Sequence, residues 1–173
     1  EPPPNDRTFT QTEGKIRVTT AVPSAEETYE IFGDRLYRRN IQPVWMRIEN
    51  LGDEDILFLP ASLDDAYFTP IETAYRLQNR IPLFELNPDI NKDVYRRSMG
   101  VQLEAGESRS GYVFTRLDQG TKSFNVDVVG RDDRFMKTFF VPVPGLRIDH
   151  YAVDWENLYP PEAIREVSLG ELA

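Results

Sequence analysis

Apolar and polar residues alternate in several short stretches, which is the spacing of strands that bury one face. These stretches are 15–22, 43–50, 111–115, 124–128 and 135–141. A further run, 56–59, is continuously apolar and predicts a strand covered on both faces. Short strands at this spacing, with Gly and Asn turns between them, predict a mainly β fold, an immunoglobulin-like β-sandwich.

Turn residues predict how two pairs of strands are joined. Residues 50–53 read Asn-Leu-Gly-Asp, so we expect a hairpin between 43–50 and 56–59. Across the turn at 130–133 we expect Val128 opposite Met136. This register keeps Lys137 off the apolar face, whereas a slip of one residue would place it there.

Two segments carry helix signals instead. Ser24 and Glu27 form a capping-box pattern, and Gly33 ends the predicted short N-terminal helix. The strand spacing is interrupted over 61–99, where Thr69-Pro70-Ile71-Glu72 predicts the start of a second helix. We therefore interpret 61–99 as a partly helical insertion in the sandwich.

The ends of the chain differ in composition from its middle. The opening Glu-Pro-Pro-Pro-Asn-Asp predicts an extended arm over 1–13. The sandwich domain then spans 14–146, and we expect the aromatic-rich tail 147–173 to pack on it. The chain starts at Glu1 rather than Met, which is typical of a trimmed segment or of a mature segment that follows a signal or lipid anchor.

Charge and composition exclude several functional classes. The net charge of -9 repels nucleic-acid phosphates, and the pairs Arg38-Arg39 and Arg96-Arg97 are too short for a basic stripe. We expect no nucleic-acid partner. With no cysteine, thiolate catalysis and disulfides are excluded. No apolar run is long enough to predict a transmembrane segment.

Candidate catalytic groups do not assemble into a known pattern. A Ser-His-Asp triad would need the single histidine, His150, and the segment 106–111 places its second glycine one residue too late for a nucleophile elbow. Paired carboxylates leave a hydrolase open as an alternative. The candidates are Asp64, Asp65, Glu72, Asp154 and Glu156. We predict no catalytic residue and no enzyme activity.

Metal and cofactor signals are weak as well. Asp89, Asn91 and Asp93 resemble the start of a calcium-binding loop, but Val94 and Gly100 occupy the positions that need Gly and Glu. We interpret this stretch as an ordinary loop. The sequence therefore predicts no metal site and no cofactor.

Aromatic residues concentrate in and near the insertion, and binding surfaces often lie on loops held by a rigid scaffold. The candidate interaction surface is formed by Trp45, Tyr67, Phe68, Tyr75 and Phe84. We expect a protein partner to bind there.

Several phrases of the chain resemble the LssY carboxy-terminal-type domain of bacteria. They are Gln42–Trp45, Phe58–Pro60, Tyr67–Glu72, Ser110–Thr115, Gly120–Gly130 and Phe140–Leu146. The resemblance implies an envelope-associated protein of the bacterial periplasm or outer cell envelope, with a lipoprotein anchor upstream of Glu1 as one route of attachment. It carries no established activity or catalytic residue to this chain.

Together these observations predict a non-catalytic interaction or assembly module of the bacterial cell envelope. The first alternative is a small-ligand or lipid-binding domain with 61–99 as a lid over a pocket between the sheets. The second is a carboxylate-based hydrolase.

Overall fold

The computed structural model describes residues 7–64, 66–78 and 88–145, and within these ranges nine strands form two antiparallel sheets. The five-stranded sheet contains β1 (Phe9–Glu13), β2 (Ile16–Ala21), β3 (Ile41–Asn50), β5 (Tyr67–Phe68) and β7 (Ser108–Arg116), in the order β1-β2-β3-β7-β5. The four-stranded sheet contains β4 (Ile56–Phe58), β6 (Gln102–Leu103), β8 (Thr121–Val129) and β9 (Arg134–Pro142), in the order β6-β4-β8-β9. The predicted mainly β sandwich is confirmed, whereas its immunoglobulin-like topology stays a prediction.

The helices of the described ranges are α1 (Ala25–Phe32), α2 (Pro70–Gln78) and α3 (Pro88–Arg97), with 3-10 turns at Leu36–Arg39 and Pro60–Ser62. The predicted capping box is present, because the Ser24 hydroxyl accepts from the Glu27 amide and the Glu27 carboxylate accepts from the Ser24 amide. Gly33 closes α1 in the left-handed conformation at φ 68°. None of these helices has the length and apolarity needed to cross a bilayer.

Side chains from both sheets fill the space between them. Val44, Met46 and Ile48 of β3 face Phe124 and Val126 of β8, and all five are buried. This alternation along each strand is the one expected for strands with a single face toward a core. The sandwich core therefore follows directly from the spacing of apolar residues in the sequence.

A second apolar layer covers the other face of the five-stranded sheet. Trp45, Tyr112 and Phe114 point away from the sandwich and are buried beneath the helices. Phe32 of α1 packs edge-on against Tyr112 and Phe114, with ring centroids 5.2 and 5.6 Å apart. The domain thus has three layers: helices, a five-stranded sheet and a four-stranded sheet.

The predicted hairpin between β3 and β4 is wrong. β3 pairs with β2 and β7, so it offers no free edge, and β4 pairs with β6 and β8 in the opposite sheet. The turn crosses between the sheets, and the buried Asn50 amide stabilises it by donating to the Glu54 and Glu104 carbonyls. Nor is 56–59 covered on both faces, since Leu57 and Leu59 are exposed.

The register of β8 and β9 also differs from prediction by one residue. Val128 pairs with Phe135 and Val126 with Lys137. This register places Phe135, Phe139 and Val141 on the buried inner face of β9. It also places one lysine, Lys137, on that face. Lys137 lies where β9 adjoins β1, and its Nζ reaches Glu13 at 3.2 Å. Its long stem can therefore cross apolar surface while its charge stays paired at the open edge.

The insertion contains the predicted α2, whose Thr69 hydroxyl accepts from the Glu72 amide, and a second helix, α3, that was not predicted. Residues 9–13, assigned to the N-terminal arm, form the edge strand β1. Residues 1–6 of the arm and the tail 147–173 lie outside the described residues.

A close approach of two backbone segments depends on Gly111. A Cβ at this position would lie 2.7 Å from the Met99 amide nitrogen and Cα. The Met99 amide donates to the Tyr112 carbonyl at 2.9 Å, which fixes the end of the insertion against β7. The absence of a side chain at 111 therefore allows the insertion to rejoin the sheet.

We predict that Gly111→Ala destabilises the domain by about 3 kcal/mol, because Met99 must move away from β7. Chemical denaturation checks this by measuring the free energy of unfolding. Gly106→Ala is the matched control, since its Cβ would meet nothing and only its φ of 72° opposes substitution. It should cost about 1–2 kcal/mol. Equal losses for both variants would contradict the role of the close approach.

Candidate anion-binding site

The 3-10 turn after α1 is anchored to the body of the domain by two side chains. Leu36 is fully buried in the outer apolar layer, and the Tyr37 hydroxyl donates to the Pro23 carbonyl at 2.6 Å. Asn40 ends the turn in the left-handed conformation at φ 58°. Because a 3-10 helix has about three residues per turn, Arg35 and Arg38 come one above the other on the exposed side.

Four arginines line a cleft of about 630 Å³ beside this turn, which we call the arginine cleft. Its lining residues are Tyr29, Gly33, Asp34, Arg35, Arg38, Arg39 and Arg76. Arg76 comes from α2, so the insertion contributes one wall and the turn after α1 the other. The cleft thus joins cationic side chains that are distant in the sequence.

Two of the four guanidinium groups are held in place by neighbours. Arg39 donates to the Arg76 carbonyl at 3.3 Å and lies 3.5 Å from the Asp34 carboxylate. Arg76 donates to Glu72 at 3.0 Å, and its guanidinium carbon lies 4.1 Å from the centre of the Phe68 ring. These contacts fix both side chains, since a cation over an aromatic face is attracted by it.

The other two arginines have fewer contacts with the part of the chain that the structure describes. Arg35 lies 5.8 Å from the centre of the Tyr29 ring, and Arg38 forms no side-chain hydrogen bond or ion pair with a described residue. A guanidinium presents a planar fork of N–H donors that matches the oxygens of a carboxylate or a phosphate. The arrangement can therefore bind an oxyanion.

A second cleft of about 480 Å³ adjoins the first and shares Tyr29, Arg35 and Arg38 with it. We call it the tyrosine cleft. The residues that belong to it alone are Ala25, Glu26, Glu30 and Tyr37. Burial raises the pKa of Tyr37 above its ordinary value, and the neighbouring Gln42 partly offsets this. Its phenol therefore remains neutral at physiological pH.

The arginines of this cleft are not among the site residues predicted from the sequence. Arg38 and Arg39 alone are too short for a basic stripe, but the segment 34–39 holds three arginines in one turn. Three arginines so close together in the sequence could have indicated a local cationic surface. Arg76, 37 positions after Arg39, reaches the same cleft only through packing of α2.

Two of the carboxylates suggested for a hydrolase have other partners in the structure. Asp64 accepts from Lys122 at 2.6 Å, and Glu72 pairs with Arg76. Asp65, Asp154 and Glu156 lie outside the described residues. Among residues 7–64, 66–78 and 88–145, no group of three or more His, Cys, Asp or Glu side chains could hold a metal ion.

Lys122 is a fully buried cation on the inner face of β8. Its Nζ donates to Asp64 at 2.6 Å, to Asp118 at 2.7 Å and to the Arg116 carbonyl at 3.1 Å, so all three of its hydrogens have acceptors. Burial alone would raise the pKa of Asp64, but the hydrogen bonds from Lys122 and from the Ala66 amide hold it below its ordinary value. The cluster joins the 3-10 turn at Pro60–Ser62, through the following Asp64, to the loop between β7 and β8.

The predicted aromatic surface is not one exposed patch. Trp45 and Phe68 are buried in the outer apolar layer, and Tyr67 is half-buried against the sandwich core. Tyr75 is 62 % exposed, and Phe84 lies outside the described residues. Aromatic content alone does not separate a binding face from a core, because both bury large rings.

The structure locates several other residues that the sequence suggested for a catalytic or metal site. Gly106 and Ser108 lie at a turn that leads into β7, not at a strand-to-helix elbow. Asp93 is in α3 and pairs with Arg96 and Arg97, so this stretch is helical and not the loop we predicted. His150 lies outside the described residues.

Comparison of the chain with known protein families, curated proteins and solved structures gives no match. The resemblance to the LssY carboxy-terminal-type domain therefore stays a prediction.

Burial predicts which aromatic residues support the fold. Phe68→Ala should destabilise the domain by about 3–5 kcal/mol, because it opens a cavity in the outer layer and removes the ring beneath Arg76. Tyr75→Ala, on the exposed side of α2, should change stability by about 0.5 kcal/mol or less. Thermal unfolding of both variants checks this. A stable Phe68→Ala variant would show that the ring is not part of the core.

The buried lysine predicts a pH-dependent loss of stability. Asp64 has a lower pKa in the folded chain than in the unfolded one, so it stabilises the fold above about pH 4 and stops doing so as pH falls through its folded pKa. Asp64→Asn should therefore cost about 2 kcal/mol at pH 7, and the loss should become smaller as the pH falls below the ordinary pKa of a carboxyl group.

Asp53→Asn is the matched control, because Asp53 also pairs with a lysine, Lys15, but is 86 % exposed. It should have almost no effect at either pH. Denaturant unfolding at pH 7 and pH 3 measures both variants. A loss at Asp64 that does not change with pH would contradict the ion-pair explanation.

Proposed function

We propose that this domain is a non-catalytic interaction module that binds an anionic group of its partner in the arginine cleft. One observation supports this most directly: four arginines line a single cleft, and two of them, Arg35 and Arg38, form no side-chain hydrogen bond or ion pair with residues 7–64, 66–78 or 88–145. The chain as a whole carries a net charge of -9, so a local cationic cleft runs against its average. Such local fields steer and concentrate ligands of opposite charge.

The cleft also has the construction of a preorganised site. Leu36 and Tyr37 anchor the 3-10 turn, while Glu72 and Phe68 hold Arg76. Donors fixed before binding lose less freedom when a ligand arrives, which favours affinity. The proposal assigns recognition to this cleft rather than to the aromatic residues of the insertion.

The resemblance supports a place for this module in the bacterial periplasm or outer cell envelope. The partner that we propose is a protein. A lid over a pocket between the sheets receives less support. Ala74 and Leu77 of α2 and Val94 of α3 pack in the outer layer, away from the space between the two sheets. The arginine cleft is therefore the better ligand site of the two.

We predict that inorganic phosphate stabilises the domain by binding the cleft. The test variant is Arg35→Gln/Arg38→Gln, which removes two exposed charges without breaking an ion pair within the described residues. Since a charge-assisted hydrogen bond contributes about 1.5–3 kcal/mol, phosphate affinity should fall by a factor of about ten or more. Thermal unfolding in phosphate and in chloride at equal ionic strength measures the effect.

Arg131→Gln/Arg134→Gln is the control, with the same spacing and charge change at the start of β9 and in the turn before it. It also removes one exposed ion pair, between Arg131 and Glu54. Phosphate also stabilises proteins by exclusion from their surface, and this contribution is common to all variants. Only the cleft variant should lose the additional stabilisation. If wild type and both variants respond equally to phosphate, the cleft does not bind anions and the proposal fails.

A further inference from the structure

The two adjoining clefts differ in charge, and the difference restricts the ligand. Among the described residues of the arginine cleft, four guanidinium groups face one carboxylate, Asp34, and a second carboxylate, Glu72, is paired with Arg76. These side chains carry two positive charges in excess. A dianion would neutralise this excess, whereas a single carboxylate would leave half of it.

The tyrosine cleft has the opposite charge distribution. Of the residues that the structure describes, it has no arginine of its own, because Arg35 and Arg38 are the shared ones, and the charged side chains that line it alone are Glu26 and Glu30. Tyr29, Tyr37 and Ala25 supply the less polar part of its wall. A second anionic group in this cleft would lie beside two glutamates, and like charges at short range repel.

We infer that the ligand is a phosphate monoester whose phosphate lies in the arginine cleft and whose attached group, neutral or cationic, lies in the tyrosine cleft. This inference rests on the proposed function. A phosphate monoester carries close to two negative charges at neutral pH and three acceptor oxygens, which suits several guanidinium forks. The attached group contacts Tyr29, whose ring lines both clefts.

The same charge arrangement excludes a continuous polyanion. A nucleic-acid strand carries a phosphate at every nucleotide, so a strand running through both clefts would place another phosphate beside Glu26 and Glu30. The site therefore selects a single phosphate monoester, not a chain of phosphates.

Three probes separate these requirements: inorganic phosphate, phenyl phosphate and 4-carboxyphenyl phosphate. Isothermal titration calorimetry on the full chain measures their affinities. Phenyl phosphate should bind about tenfold more tightly than inorganic phosphate, because its ring leaves water for the tyrosine cleft. The added carboxylate should weaken binding by about fivefold relative to phenyl phosphate, because it approaches the glutamates.

Two variants assign each effect to a cleft. Tyr29→Ala, at a half-exposed position, should lower the ratio of the phenyl phosphate affinity to the inorganic phosphate affinity from about ten to about one. The ratio is the readout because Tyr29 also lines the arginine cleft, so its loss can change both affinities. Glu30→Gln should restore the affinity for 4-carboxyphenyl phosphate. Glu104→Gln, an exposed glutamate in the turn before β7, is the control and should not restore it.

The outcomes separate this inference from the proposed function. If inorganic phosphate binds through Arg35 and Arg38 but phenyl phosphate binds no more tightly, the cleft is an anion site and the inference is overturned. Equal affinities for phenyl phosphate and 4-carboxyphenyl phosphate also overturn it, because the glutamates would then not repel a second anionic group. If no probe binds, the proposed function fails and the inference fails with it.

Discussion

The central strand β3 has to supply two apolar layers at once, and the rest of the domain is arranged around that requirement. Residues 41–46 are all buried, with Val44 and Met46 facing the sandwich and Ile41 and Trp45 facing the helices. A strand that buries both faces needs a covering layer on each side, because exposed apolar surface is costly in water. The four-stranded sheet supplies one cover and the segments between the strands supply the other.

The position of the candidate site depends on the layer of helices and turns that covers the outer face of the five-stranded sheet. The 3-10 turn is fixed because Leu36 is drawn into the outer layer, and α2 is fixed because Ala74 and Leu77 pack there. Both elements then present arginines from their exposed sides to a common cleft. Burial on one side thus positions the charged groups on the other, which is how a rigid scaffold holds recognition residues in place.

Predictions based on alternation were correct, whereas predictions based on local pairing failed. The strands and the capped helix α1 follow from side chains close in sequence, and each is present. The hairpin after β3 failed because β2 and β7 already occupy both edges of β3. The register of β9 failed because one inner-face lysine, Lys137, was treated as prohibitive, although the gain from burying Phe135 and Phe139 is larger. Lys122 shows the same point, since a buried lysine is tolerated once two carboxylates receive its hydrogens.

The sequence by itself determined the mainly β class, the faces of most strands and the ends of α1, because these depend on the period of the backbone and on capping groups a few residues apart. Only the tertiary structure decided which strands share a sheet, and that Arg76 joins Arg35, Arg38 and Arg39. These contacts depend on which strand edges and sheet faces remain free once the other layers have packed. Residues that are close together in the sequence do not indicate this.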